Sequence, residues 1–288
     1  MMLQAPGSSM KLSALSRSFD GGKTWFAAPA VFLVAATFVI PLATVVLQSF
    51  FRTRFTLDGY QIILSSTLFW RVLSTTLEIT IQATVLSVVL GYPLALFLSQ
   101  LSQRRRAIVL ILVLLPFWTS ILVKSFAFIV LLGEQGALKT LLRTLFNIEL
   151  GVPLVFSRTG VMVGMVHFLI PFTVFPILNN LLNQPTELRR AALVMGAKRW
   201  QLFFKVTLPL SLPAVAAAAI MAAVLSIGVF VTPALLGGRR DTMVANLIDY
   251  YTREVLDWNA AAALSILLLL VAGALIWAVS RIDRSSKH

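Results

Sequence analysis

ELRRAALVMGAKRWQLFFKVTLPLSLP, Glu187 to Pro213, is a charged, amphipathic stretch set between two strongly apolar ones. Leu188, Ala191, Ala192 and Met195 fall at i, i+3, i+4 and i+7, the spacing of one narrow helical face built partly from small residues. A face of that kind lets a partner approach closely. Gly196 breaks the pattern, and Trp200, Phe203 and Phe204 open a second apolar stripe that runs to Pro209. The segment therefore predicts helix, turn, helix, with Gly196 in the turn at positive φ. Pro209 and Pro213 stand at the entrance of the next apolar segment, where a missing backbone N–H costs least. A basic helix resting on an anionic membrane surface would account for the charges, but not for the glycine spacing or the prolines.

The flanking sequence sets the class. Of 288 residues, 58% are hydrophobic and 12% charged, and the mean hydropathy is +0.89, which excludes an ordinary soluble domain. Six segments are long enough to cross roughly 30 Å of hydrocarbon as helices: residues 25–51, 72–100, 107–132, 159–182, 210–236 and 260–280. Alternating strands of about ten residues, the mark of an outer-membrane barrel, are missing from the sequence. The expectation is an all-α integral membrane protein. It is organised as a tail over 1–24, a first transmembrane helix over 25–51, a five-helix transmembrane domain over 70–281 with a loop at 185–207, and a tail over 282–288.

Basic residues orient the chain. With both termini inside, Lys11, Arg17, Lys23, Arg104–Arg106, five residues of the 187–213 stretch, Arg281, Arg284 and Lys287 are cytoplasmic, fourteen of the 24. Nine are external and Lys124 lies within a span, so the positive-inside bias favours this topology. The net charge of +13 is thus mainly an orientation signal. It does not indicate nucleic-acid binding, because the basic residues are spread over short loops and the aromatics belong mainly to spans. No cysteine is present, which removes disulfides and thiolate chemistry. Residues 1–24 lack an apolar run of their own and read as a tail instead of a cleaved signal. The Gly-Lys-Thr at Gly22–Thr24 is not a phosphate-binding loop, since Arg17 takes the place of its first glycine. Two histidines without nearby carboxylates make no zinc site. His167 reads as a buried histidine bonded to a neighbouring helix. No catalytic, cofactor-binding or metal-ligating set emerges.

The 187–213 stretch resembles the EAA loop of the membrane subunits of bacterial ABC importers. Ala191 and Ala192 match its two alanines, Gly196 its glycine, Phe203 or Phe204 its aromatic, and Leu208-Pro209-Leu210 with Pro213 its ending. Arg190 departs, standing where that family usually has glutamate; Glu187 lies one turn away. Three further segments, Gly91–Gln100, Leu115–Leu138 and Gly228–Ile248, are similar to permeases of the spermidine/putrescine type. The similarity covers about residues 70 to 281. Lys124 stands where an arginine is expected, and Phe128 where a tryptophan is. The resemblance implies a type-1 ABC permease fold in the bacterial inner membrane, multi-pass with cytoplasmic termini. It also implies a coupling helix that docks on the ATPase through Glu187, Arg190, Ala191, Ala192, Met195, Gly196 and Phe203. The implied partners are two copies of an ABC ATPase that hold ATP and Mg²⁺, a second homologous permease, a periplasmic solute-binding protein and membrane lipid. The implied cargo is a small amine-bearing solute such as a polyamine.

Candidate path residues follow from placement in the spans. Gly91-Tyr92-Pro93 is expected to kink the second span, while Pro116, Pro171, Pro176 and Pro233 are expected to interrupt the third, fourth and fifth. Glu78 and Lys124 are the ionisable residues within spans, at similar outer depth. A charge there costs about 2.5 to 3.5 kcal/mol, so the two are expected either to pair or to face water. Phe117, Trp118 and Phe126 near the same depth offer cation–π contact. Val244, Leu247, Ile248 and Tyr251 predict a short outer-surface helix with Asp249, Arg253 and Glu254 exposed. A self-sufficient secondary transporter would more often show an internal repeat with ion ligands, and a membrane-embedded enzyme would need clustered catalytic groups.

Overall fold

The computed structural model describes residues 22–52, 54–148 and 151–285. Lys11, Arg17, Lys287, His288 and most of the expected tail over 1–24 lie outside the described residues. The chain divides into two units, one ending at Leu47 and the other beginning at Gln48. The first holds most of α1, Gly22–Phe50, which carries Pro29 and Pro41 inside an apolar helix. Elements described below belong to the second unit.

Among the described residues its elements are helices: α2 (Asp58–Ser65), α3 (Thr67–Gln100), α4 (Gln103–Trp118), α5 (Ile121–Leu132), α6 (Ala137–Phe146), α7 (Arg158–Leu182), α8 (Thr186–Val194), α9 (Arg199–Leu202), α10 (Leu208–Ile227), α11 (Val231–Leu236), α12 (Val244–Arg253) and α13 (Trp258–Ser285). Among the described residues, six stretches have the length and apolarity to cross a membrane. α13 continues to Ser285, so the C-terminal tail expected from residue 282 begins as helix.

Two expected spans are built differently. The third, 107–132, is broken at Thr119, which is extended, and Ser120, whose ψ of 137° is not helical. A helix end leaves unpaired carbonyls, and the one on Pro116 is taken by the Thr119 hydroxyl at 2.9 Å and the Lys124 ammonium at 2.8 Å. The stretch Ile121–Phe146 also has spanning hydropathy, 1.6 on average, but a turn at 133–136 divides it into α5 and α6. The fifth, 210–236, ends at Ile227, and residues 231–236 form the separate helix α11. Pro233 sits in the first turn of α11, where no intrahelical N–H is lost. Pro171 and Pro176 do not interrupt the fourth span, since α7 runs through them, and Pro93 lies inside α3.

α3, α7 and α10 make the centre. Apolar residues on lipid-facing and protein-facing sides gain little from mutual burial, so these helices hold by close packing. Ala83, Ala95, Ala218 and Ala222, all 0% exposed, let the backbones approach. Gly91 serves that approach: a Cβ there would stand 2.5 Å from the Thr173 hydroxyl of α7, which itself donates to the Ser87 carbonyl of α3 at 3.1 Å. A second cluster joins Ile63, Phe69 and Val72 to Val244, Leu247, Ala260 and Leu264, placing α12 against α3 and α13.

Candidate coupling surface and translocation path

The helix-turn-helix at 186–202 is assembled by backbone bonds. α8 ends in a Schellman motif, with the Gly196 N–H donating to the Leu193 carbonyl and the Ala197 N–H to the Ala192 carbonyl, both at 3.0 Å. Closing it requires left-handed backbone, and Gly196 has φ +79°, which a side chain would strain. α9 opens with the Lys198 N–H on the Gln201 side chain at 2.8 Å. Residues 203–207 then form a π turn into α10. Pro209 is in the first turn of α10 and Pro213 inside it.

Not every expected docking residue faces outward. Leu188, Val194 and Met195 are exposed, Met195 at 82%, and so are Glu187, Arg190 and Ala191. Glu187 lies in the first turn of α8, where the helix dipole favours a carboxylate. Ala192 is buried at 7%, turned away from that surface. Phe203 is an inward anchor: its ring meets Phe204 at 4.9 Å and Tyr92 of α3 at 6.0 Å. Phe204 is the exposed member of the pair. The Tyr92 hydroxyl in turn shares a 2.8 Å bond with Ser211 of α10. Gln184 closes the base of the hairpin, donating to the Thr207 carbonyl at 3.2 Å. Gln184, Ser211 and the bond from Ser211 to Tyr92 were missed by pattern reading, although a tyrosine and a serine inside apolar spans are polar groups that need partners.

The five path candidates separate. Glu78 and Lys124 are not paired. Glu78 lies 3.4 Å from Arg158 at the start of α7, and Arg158 holds Asp241 more tightly at 2.8 Å. The other Asp241 oxygen accepts the Gly238 N–H at 3.0 Å, so this carboxylate, 6% exposed, ties the 237–243 loop to α7. Arg158 and Asp241 escaped pattern reading because they are 83 residues apart. Lys124, bonded to Pro116, stands 5.9 Å from the Phe168 ring centre. It lines a cavity of about 290 Å³ with Pro116, Phe117, Thr119, His167 and Phe168. Phe117 packs edge-on against Phe172. His167 is half-buried, and its ring packs edge-on against Phe128 at 5.3 Å; this aromatic contact stands in place of the expected inter-helix bond. Trp118 is 73% exposed and belongs to neither cavity described here. Pro233 lines a different cavity of about 440 Å³ with Phe230, Asn246, Asp249, Tyr250 and Glu254.

Known proteins match this architecture. The spermidine/putrescine transport system permease protein PotB of Escherichia coli (strain K12) is 32% identical over 237 residues, covering 81% of this chain and 86% of PotB. PotB of Haemophilus influenzae is 29% identical over 82% of both chains. The molybdenum transport system permease protein ModB of Mycobacterium bovis is 29% identical over 68% of this chain and 73% of its own. Among solved structures, a bacterial ABC transporter that imports the acidic polysaccharide alginate superposes with a TM-score of 0.72 at 18% identity, covering 91% of this chain and 95% of that one. The MetNI methionine ABC transporter, in an inward-facing conformation, gives 0.56 at 21% identity over 76% and 96%. The family described as binding-protein-dependent transport system inner membrane component matches residues 87–287. A six-span helical chain with an exposed hairpin between its fourth and fifth spans, matched over that length, belongs to this family of inner-membrane permease subunits.

Proposed function

We propose that this permease serves an ATP-driven importer of small amine-bearing solutes of the polyamine type. The observation that carries the solute class is the 32% identity to spermidine/putrescine permeases over 81% of the chain. The exposed α8 face supports the energy source. It docks on an ATPase through Leu188, Ala191 and Met195, with Glu187 and Arg190 at its rim, while Gly196 shapes the turn. ATP and Mg²⁺ stay on two copies of that ATPase. A second, homologous permease completes the path, and a periplasmic binding protein delivers the solute. Both termini and α8 are cytoplasmic, as the fourteen-to-nine distribution of basic residues favours.

Movement of α8 passes inward by two routes. Gln184 links the hairpin base to the Thr207 carbonyl, and Phe203 presses on Tyr92, which is bonded to Ser211. ATPase closure therefore bears on α3 and α10 together. Ligand can bias this cycle only by its difference in affinity for the two states. The test is uptake of radiolabelled spermidine into liposomes holding the co-purified complex, with ATP inside and binding protein outside. Uptake that needs ATP and the ATPase supports the reading. Transport by the chain alone without ATP overturns the energy source, and ATP-driven uptake of other solutes but no polyamine overturns the solute class.

A further inference from the structure

α6 and α12 are each ten residues long, and both lie in connections on the side opposite α8. α12 covers its apolar face with α3 and α13. α6 leaves Leu141, Leu145 and Phe146 exposed. Around α6, Leu138, Leu141, Leu142, Leu145 and Phe146 occupy one arc, and Lys139, Thr140, Arg143 and Thr144 the other.

The position of α6 says what covers that arc. Residues 133–136 alone separate it from α5, and four residues reach no further than about 13 Å, so α6 stays at the membrane boundary. It also does not prolong α5. The Gly136 N–H donates to the Gly133 carbonyl at 2.9 Å, and a Cβ on Gly136 would meet the Leu131 carbonyl, so the chain turns back over the end of α5. Val123, Phe126 and Val130 expose apolar surface along α5 up to this turn. Exposed apolar surface on the spanning helix thus leads into the arc. On the opposite arc Lys139 is covered, its side chain 12% exposed and bonded to Glu134 at 2.8 Å, so the leucine and phenylalanine arc is the apolar side of α6 left open to the surroundings.

We propose that α6 is an interfacial helix whose leucine and phenylalanine arc inserts at the acyl–headgroup boundary of the leaflet opposite α8. Anchored there, it sets the depth of α5 and of the break at Thr119–Ser120. This rests on the six-span reading and is independent of the solute. The chain lacks cysteine, so a single introduced thiol reports one position. Leu145→Cys and Thr140→Cys, each carrying an environment-sensitive fluorophore, are compared in the assembled transporter in phosphatidylcholine nanodiscs. Lipid brominated near the top of its acyl chains should quench the Leu145 label about threefold more than the Thr140 label, as an interfacial helix requires. Aqueous iodide should show the reverse order. Equal quenching at both sites overturns the proposal. So does a Leu145 label shielded from both quenchers, which would mean that a partner protein covers the arc. Leu141→Cys reads the same face if Leu145→Cys fails to accumulate in the membrane.

Discussion

α8 and α12 are short amphipathic helices between spans, yet one is finished and the other is open. Val244 and Leu247 of α12 are 1% and 6% exposed. Its first turn is tied down by the Val244 N–H on the Thr76 hydroxyl at 2.9 Å and the Asn246 amide on the Phe230 carbonyl at 2.8 Å. α8 presents Leu188, Leu193, Val194 and Met195 to the surroundings and is held through its ends, by Gln184 and the Gly196 turn. Amphipathicity alone therefore does not assign a role. An apolar face already covered by its own chain belongs to the fold, and one left uncovered on the charged side of the bundle is available to a partner. α12 turns its polar edge outward, with Arg253 holding Asp249 at 2.7 Å, so contact with a binding protein would involve that charged edge and not the apolar stripe.

The largest effect should come from the finished helix. Leu247→Ala removes a buried side chain and should cost about 3 kcal/mol, lowering membrane abundance and thermal stability. Leu188→Ala on α8 should change abundance little, since exposed truncations stay within about 0.5 kcal/mol, while reducing solute-stimulated ATP hydrolysis. Similar abundance losses in both variants, measured by detergent-extracted fluorescence and melting, would break the distinction.

Arg158 tests what holds the side of the bundle that carries α12. Arg158→Met leaves the buried Asp241 carboxylate uncompensated and should cost about 2–3 kcal/mol. Adding Asp241→Asn should recover much of that loss in a melting assay. A double variant as unstable as the single one would show that the ion pair does not anchor the 237–243 loop.

Gly196→Val sharpens the comparison from the α8 side. Its φ of +79° costs a β-branched residue about 1–3 kcal/mol of local strain, and no nearby atom blocks the side chain. The strain should distort the hairpin without unfolding the bundle. Membrane abundance should hold while co-purification of the ATPase falls about tenfold, the equivalent of 1.4 kcal/mol. Full ATPase recovery would remove the turn from the coupling role.

The fold was largely legible where one residue type repeats along one helix. The spans, the α12 face at Val244, Leu247, Ile248 and Tyr251, and the turn at Gly196 all announce themselves within a few residues. The breaks did not. Hydropathy averages across Thr119–Ser120 and across Gly228–Phe230, because neither break adds charge to an apolar run. Prolines misled for a related reason: Pro171 and Pro176 sit within α7, which continues through both. In the candidate sites, sequence identified residue types but not partners. Phe203 reads as a docking aromatic until Tyr92 is seen beside it, and Ala192 as part of an exposed face until its burial is known.

The smallest expected effect concerns Glu78 and Lys124, whose similar depth in the spans suggested a pair. Glu78 faces Arg158, and Lys124 completes the Pro116 carbonyl, so each has its own partner on a different element. Glu78→Gln should be mild, because the carboxylate is 59% exposed and Arg158 retains Asp241; pairs so exposed contribute about 0–1 kcal/mol. Lys124→Met should cost more by leaving the Pro116 carbonyl with Thr119 alone. Groups without a shared partner add within about 0.5 kcal/mol, so the double variant should equal the sum of the singles in a melting assay. A coupling energy of 1 kcal/mol or more would mean that the two charges do meet in another state of the cycle. The same variants separate the α4–α5 break from the coupling through α8. Lys124→Met should alter the break between α4 and α5 and therefore uptake, while Glu78→Gln should leave ATPase coupling through α8 unchanged.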